Sequence, residues 1–161
     1  AGKFAWDLVP IYALGQMLGA MLGALIVWVT YRQHFNATTD PDMQLAAFCT
    51  GPAIRSPFNN IITEAVGTFM LVFGVMMMAS PQESLGTLNA LPAALLLFGI
   101  GLSLGGPTGF AVNPARDLGP RIMHAILPMT NKRDSDWGYA YVPIVGGIIG
   151  GLIAAVVYSA L

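Results

Sequence analysis

The stretch Gly105–Arg121 reads GGPTGFAVNPARDLGPR. It follows an apolar helical run, concentrates turn residues, and restarts a helix at Asn113-Pro114-Ala115-Arg116. Asn is a favoured N-cap and Pro suits the first helical position, so Asn113 and Pro114 mark a helix start. Such a start leaves backbone N–H groups and the positive end of a helix dipole facing whatever precedes them. In a soluble loop this is an ordinary cap. Between two membrane-length helices it predicts a half-helix whose polar end faces a water-filled path, because irregular backbone at membrane depth is tolerated only where it is buried in protein or lines a cavity.

Composition supports the membrane setting. The 161 residues are 55% hydrophobic and 9% charged, against about 25% charged in a soluble domain, and the mean hydropathy is +0.66. Seven basic against eight acidic residues supply neither the basic patch that nucleic acid requires nor the polybasic run that anionic lipid attracts. Cys49 is the single cysteine, which excludes a disulfide framework and a cysteine metal site. His34 and His124 stand near span ends without ligand spacing, so no metal or cofactor is expected. The start Ala1-Gly2-Lys3 shows no signal pattern and reads as the middle of a longer protein.

Four spans are predicted. The first, Val9–Val29, has about the 20 residues that cross a bilayer, with Trp6, Trp28 and Tyr31 at its ends as interfacial aromatics. Gly15, Gly19 and Gly23 form a small-xxx-small stripe beside Ala20 and Ala24, a face that another helix can approach closely. Gln16 lies next to it, and an interhelical hydrogen bond is favoured there over a solute contact. Arg32–Asn60 is polar and loop-like, broken by Pro41, Gly51, Pro52 and Pro57. The second span, Ile61–Ala79, holds Glu64, which is costly in lipid unless it faces the interior with a partner. Glu64 is expected to accept hydrogen bonds from backbone N–H groups of a re-entrant loop. Ser80–Thr87 is a short polar connector. The third span runs from about Leu88 to Leu104 and gives way to the Gly-rich stretch, an interrupted pattern that points to a midplane site. The half-helix is expected from Pro114 to about Leu127. The fourth span, Val142–Leu161, carries Gly146, Gly147, Gly150 and Gly151 in two overlapping GxxxG patterns.

The first and last spans both open with Val-Pro-Ile, at Val9-Pro10-Ile11 and Val142-Pro143-Ile144, which suggests equivalent helices of an internal repeat. Parity puts Arg32–Asn60 and Gly105–Tyr141 on one side of the membrane with six of the seven basic residues. That count alone makes this side cytoplasmic, but Arg116 and Arg121 belong to the re-entrant segment, so charge does not assign the orientation.

The segment from Thr108 to Asp117, TGFAVNPARD, after a membrane helix and before a GxxxG-rich span, resembles the second NPA box of the aquaporin and glycerol-facilitator family. Asn-Pro-Ala alone is a weak match; within TGFxxNPARDxGPR it is a strong one. The resemblance covers the whole chain. It implies an all-α integral membrane fold, the aquaporin-like inverted-repeat helical bundle, here with four spans and one re-entrant half-helix. Residues 1–59 then look like the third helix of the first repeat with its long connecting loop, and residues 60–161 like the complete second repeat. The family has two NPA boxes and this chain has one, so a fragment lacking the first box is expected.

Asp117 directly after Arg116, the basic Arg121 and Pro143-Ile144 resemble the glycerol-conducting branch. The resemblance implies a passive plasma-membrane channel for glycerol, small polyols and water, embedded in lipid as a homotetramer, and no enzyme. Its constriction falls on Arg116 and Phe110. Asn113, Pro114 and Ala115 form the box, and Gly101, Gly106, Thr108, Gly109, Ala111 and Val112 belong to the same pore-lining set, with Glu64, Asp117, Arg121, Pro143, Ile144 and Gln16 supporting it.

The residues allow a mechanism of the same kind. Asn113 can cap the helix with its oxygen and offer its NH₂ to a passing hydroxyl. The backbone from Gly106 to Val112, held extended by Gly and Pro, can offer a row of carbonyl acceptors. Arg116 adds fixed donors and a charge that opposes cations and protons. Asp117 is assigned to loop organisation. A water-selective pore is the rival within the class. A membrane enzyme lacks its constellation of nucleophile, metal ligands or paired acids, and a non-channel assembly protein leaves the polar re-entrant segment unexplained.

Overall fold

The computed structural model describes residues 4–78 and 86–161. Most of the predicted Ser80–Thr87 connector lies outside the described residues. The ordered elements are helical: α1 Val9–Thr30, α2 Arg32–Ala37, α3 Pro41–Ala46, α4 Pro57–Met78, α5 Leu91–Thr108, α6 Pro114–Ile126 and α7 Tyr141–Ser159. With 22 residues, α1 and α4 are each about 33 Å long at 1.5 Å per residue. Among the described residues four helices are long and apolar enough to cross a membrane, within Trp6–Thr30, Pro57–Met78, Gly86–Thr108 and Trp137–Ser159. α6, with 13 residues, is a half-helix.

The burial pattern is inverted relative to a soluble domain. In α1, Ile11, Leu14, Leu18, Leu22 and Ile26 are each more than half exposed, while Arg121, His124, Gln44, Glu64 and Asp117 are among the fully buried side chains. Exposed aliphatic rows are stable only against lipid or protein, and buried polar groups survive only when paired.

The chain divides into two compact units. One comprises Pro52–Val112 and Val142–Leu161, and is built from α4, α5 and α7. Here α7 lies close on α4: a Cβ placed on Gly150 stands 2.2 Å from the Ala65 carbonyl oxygen, and one on Gly146 stands 3.0 Å from that of Ile61. Only glycine permits such backbone proximity. On α4, Gly67 and Gly74 admit Val112 and Leu96 side chains in the same way. α4 begins a turn earlier than its apolar run, at Pro57. Ser56 and Pro57 are a good N-cap and first position, and the Ser56 N–H donates to Asn60 Oδ1 at 3.0 Å.

The other unit comprises residues 4–51 with Asn113–Tyr141, carrying α1, α2, α3 and the half-helix α6. α6 packs on α1 through Gly119, whose position leaves only 2.9 Å between an added Cβ and that of Ala20. A Cβ added at Gly15, Gly19 or Gly23 meets no atom of the described residues within 4 Å. The close approach therefore uses the alanine side of the stripe, and its glycine side is uncovered among the described residues. Phe35, Phe48, Leu127 and Ala24 form a small core, with Leu25, Trp28, Met123 and Met129 packed against it.

Two expectations need correction. The stretch Arg32–Asn60 is not simply loop: α2 and α3 lie within it, α3 started by Asp40, whose Oδ1 accepts from Asp42 N at 2.8 Å, with Pro41 at the first position. The third span does not stop at Leu104, and Gly106–Val112 is not extended throughout. α5 continues through Gly105, Gly106 and Pro107 to Thr108. Pro107 falls in the last turn, and Gly109 at φ 81° ends the helix in the left-handed cap that glycine adopts without strain, its N–H on the Gly105 carbonyl at 2.9 Å.

Candidate functional site

What remains between α5 and α6 is the four-residue link Gly109–Val112. Glu64, on α4 and fully buried, organises it. Its Oε1 accepts from Thr108 Oγ1 at 2.6 Å and from the Ala111 N–H at 3.2 Å, and its Oε2 accepts from the Val112 N–H at 2.7 Å. A membrane carboxyl group without such donors is prohibitively costly; here three donors occupy it. The described peptides are trans, so each C=O points opposite to the N–H of the same peptide plane. With Ala111 N–H and Val112 N–H turned toward Glu64, the carbonyls of Phe110 and Ala111 face away from it. Neither accepts a backbone hydrogen bond among the described residues. This arrangement requires left-handed backbone at two side-chain-bearing residues, Phe110 at φ 60° and Val112 at φ 41°, a strain of about 1–3 kcal/mol each. Phe110 packs its ring on Gly101, where an added Cβ stands 3.1 Å from Cε1, so a larger residue at 101 displaces the ring. Gly106 is exposed and Ala111 buried. On α7, Pro143 is fully buried and Ile144 half-buried.

The half-helix opens as its sequence predicts. Asn113 is its N-cap, with Oδ1 accepting from Ala115 N at 2.9 Å and Pro114 at the first position. Asn113 Nδ2 donates to Gln16 Oε1 on α1 at 3.1 Å. The interhelical bond foreseen for Gln16 thus has Asn113 as its partner. An amide NH₂ carries two hydrogens, so the second remains for another acceptor. Pro114 and Ala115 are half-buried; Arg116 is exposed and makes no hydrogen bond or ion pair among the described residues. Its donors are available.

Asp117, the next residue, is fully buried and pairs with Arg121 one turn later, not with Arg116. Arg121 spends its five N–H donors on five acceptors. Nε reaches Asp117 Oδ2 at 2.9 Å, Nη1 the carbonyls of Ser135 at 2.7 Å and Asp136 at 2.9 Å, and Nη2 Asp117 Oδ1 at 2.9 Å and the Thr50 carbonyl at 2.8 Å. The ion pair therefore fastens α6 to the loop after α3 and to the loop before α7.

Sequence reasoning missed the partners in this fastening. Thr50 donates both its N–H, at 2.8 Å, and its hydroxyl, at 2.6 Å, to Asp117 Oδ1. Gln44, fully buried, shares the two hydrogens of Nε2 among three carbonyls within reach, those of Phe35 at 2.9 Å, Thr38 at 2.9 Å and Thr130 at 2.8 Å. Isolated polar residues in a long connection carry no periodicity; only the breaker-rich stretch, long enough to need internal anchors, hints at them.

An α-helical multi-pass membrane protein with an asparagine-capped half-helix following a strained four-residue link is thereby defined. Residues 1–158 match the major intrinsic protein family. The chain belongs to that family. It is 52% identical over 158 residues to the probable glycerol uptake facilitator protein of Thermotoga maritima, covering 98% of this chain and 67% of the relative. It is 48% identical over 159 residues to the glycerol uptake facilitator protein of Bacillus subtilis, covering 99% and 58%. Its fold matches the aquaglyceroporin from Plasmodium falciparum with a TM-score of 0.83 at 27% identity, covering 99% of this chain and 66% of that one. The chain thus spans about two thirds of the length of the relatives it matches or less.

Proposed function

We infer that this chain serves passive movement of glycerol and other small neutral solutes, with water, across the plasma membrane, as a multi-pass channel protein and not as an enzyme. The observation that carries this is the orientation of the link before the half-helix. Glu64 holds the N–H groups of Ala111 and Val112, leaving the carbonyls of Phe110 and Ala111 free to accept from hydroxyl groups.

In the proposed path these carbonyls accept hydrogen bonds from solute hydroxyl groups; the Asn113 NH₂ and the Arg116 guanidinium are the donors that the half-helix offers to solute oxygens. The half-helix N-terminus and the permanent charge of Arg116 oppose cations and protons without penalising neutral solutes. Phe110, seated on Gly101, gives the path an apolar wall against the carbon edge of the solute. Gly106, Thr108 and Gly109 shape the approach, Thr108 by its bond to Glu64. Asp117 and Arg121 hold the half-helix, and a supporting role for Pro143 and Ile144 on α7 belongs to the same proposal. The glycerol uptake facilitators among the relatives favour glycerol over a water-selective path.

The division into residues 1–59 and a second repeat of residues 60–161 belongs to the same proposal, supported by the matching Val-Pro-Ile starts of α1 and α7. So does a homotetramer, supported by the apolar rows left exposed on α1 and by the uncovered Gly15, Gly19 and Gly23.

The test is stopped-flow light scattering on proteoliposomes of the gene product carrying this chain, under glycerol and sucrose gradients. Re-swelling in glycerol and none in sucrose is expected, with the glycerol phase lost in folded Asn113→Leu and Arg116→Leu variants. Fast water flux without glycerol re-swelling overturns the glycerol reading, and no flux of either overturns the channel.

A further inference from the structure

Thr50 stands outside every motif of the sequence, yet its N–H, hydroxyl and carbonyl all bond to the half-helix. It is 4% exposed. Its N–H and Oγ1 both donate to Asp117 Oδ1, and its carbonyl accepts from Arg121 Nη2. With the Asp117–Arg121 bonds this forms a closed ring: Thr50 to Asp117, Asp117 to Arg121, Arg121 back to Thr50. Through Nη1, Arg121 extends the ring to Ser135 and Asp136.

The hydroxyl bond, at 2.6 Å, is the shortest in the ring. Hydrogen bonds to a charged group are stronger than neutral ones and fix geometry more tightly. What they fix is the first turn of α6. Asp117 is the fourth residue of that helix, and Arg116 directly precedes it. Arg116 itself is exposed and unpaired, so among the described residues no bond of its own sets where its guanidinium starts from. Its backbone position is inherited from the Asp117 anchor.

We propose that Thr50 is a positioning residue for solute selection: its hydroxyl, bonded to Asp117, sets the placement of the half-helix turn that carries Arg116. This rests on the reading of Arg116 as the donor that neutral solutes meet. Removing the hydroxyl leaves the Thr50 amide on Asp117 and the ion pair in place, but frees one lone-pair direction of Oδ1, and the turn gains freedom. A polyol, which must bond at several hydroxyls at once, loses more from that freedom than water, which reorients at little cost.

The experiment compares the parent protein, Thr50→Val and Thr50→Ser in proteoliposomes at equal reconstituted amount, reading glycerol and water permeabilities separately. Thr50→Val is expected to lower the glycerol-to-water permeability ratio at least fivefold, and Thr50→Ser, which restores a hydroxyl, to return it to within twofold of the parent. A general loss of folded protein lowers both permeabilities together and leaves the ratio alone. An unchanged ratio in Thr50→Val, or a Thr50→Ser ratio as low as that of Thr50→Val, overturns the proposal. If Thr50→Val does not reach the membrane, Thr50→Ala removes the same hydroxyl without adding a methyl group against Asp117, and the same ratio decides. A parent protein without glycerol flux overturns the channel reading instead, so the two failures are distinguishable.

Discussion

Asp117 and Arg121, one helical turn apart and both fully buried, meet as a two-pronged pair, Nε on Oδ2 and Nη2 on Oδ1, each at 2.9 Å. A buried ion pair of this kind returns its desolvation cost only when the remaining donors and acceptors are filled. Thr50, Ser135 and Asp136 fill them. Cutting one member leaves the other charged, dry and alone. Asp117→Ala is expected to destabilise by about 3–5 kcal/mol, read as a drop in the thermal midpoint of the detergent-solubilised protein. Arg121→Lys offers three donors in place of five and is expected to lose part of the same stability despite keeping the charge. An Asp117→Ala midpoint equal to the parent's overturns the anchoring role.

Glu64 makes a second prediction. Glu64→Gln keeps size and shape but replaces one acceptor oxygen with an NH₂ donor, which then faces either the Val112 N–H or the pair formed by Thr108 and Ala111. One or more donors is left buried and unpaired, at about 1–3 kcal/mol each. Without that tether the left-handed residues Phe110 and Val112 lose what offsets their strain. Faster amide hydrogen exchange at Ala111 and Val112 is expected, with reduced glycerol flux. Unchanged exchange at both amides contradicts the tether.

These predictions rest on parts of the molecule that were unequally legible beforehand. The four spans and the start of α6 were legible because lipid demands long apolar runs and Asn-Pro is strong helix punctuation. The carboxyl of Glu64 was legible because charge at membrane depth demands donors. The extension of α5 through Gly105, Gly106 and Pro107 was not: three poor helix formers read as a break, but at a helix end the lost propensity is small and Gly109 closes the turn. Arg116 and Asp117 are sequence neighbours of opposite charge, yet Asp117 pairs with Arg121. Adjacent residues on a helix point about 100° apart, while residues four apart share a face, which is why Asp117 takes Arg121. Thr50 was invisible because its role depends on a contact 67 residues away.

The glycines of α7 allow a controlled comparison. At Gly150 a Cβ lies 2.2 Å from the Ala65 carbonyl oxygen and 2.9 Å from Phe69 N, both backbone atoms that a side-chain shift cannot relieve; at Gly151 it meets nothing within 4 Å among the described residues. Gly150→Ala is expected to cost about 1–3 kcal/mol through overpacking, and Gly151→Ala to be neutral or slightly stabilising through its higher helix propensity. Thermal midpoints of the two variants, differing by one methyl group on neighbouring residues, separate packing from composition. Equal midpoints contradict the close α4–α7 approach.

The last prediction concerns acid. His124 lies in the final turn of the half-helix, outside the four spans, fully buried against Phe48 at a ring separation of 5.5 Å, with Nδ1 on Ser135 Oγ at 2.8 Å and Nε2 without a partner among the described residues. Burial, aided by the nearby cations Lys132 and Arg121 and only partly opposed by Asp134, pushes its pKa down from 6.5 to about 4. Between these two values the unfolded chain binds the proton and the folded chain does not, so stability rises with pH across that window. The contribution is complete above about pH 6.5 and is lost as the pH falls toward 4. The thermal midpoint of the parent is therefore expected to decline from pH 6.5 to 4, more steeply than that of His124→Gln, which has no titrating ring. Parallel declines in the two proteins assign the acid sensitivity to other groups, whereas a flatter variant curve places the neutral ring of His124 among the conditions for seating the half-helix against its loops.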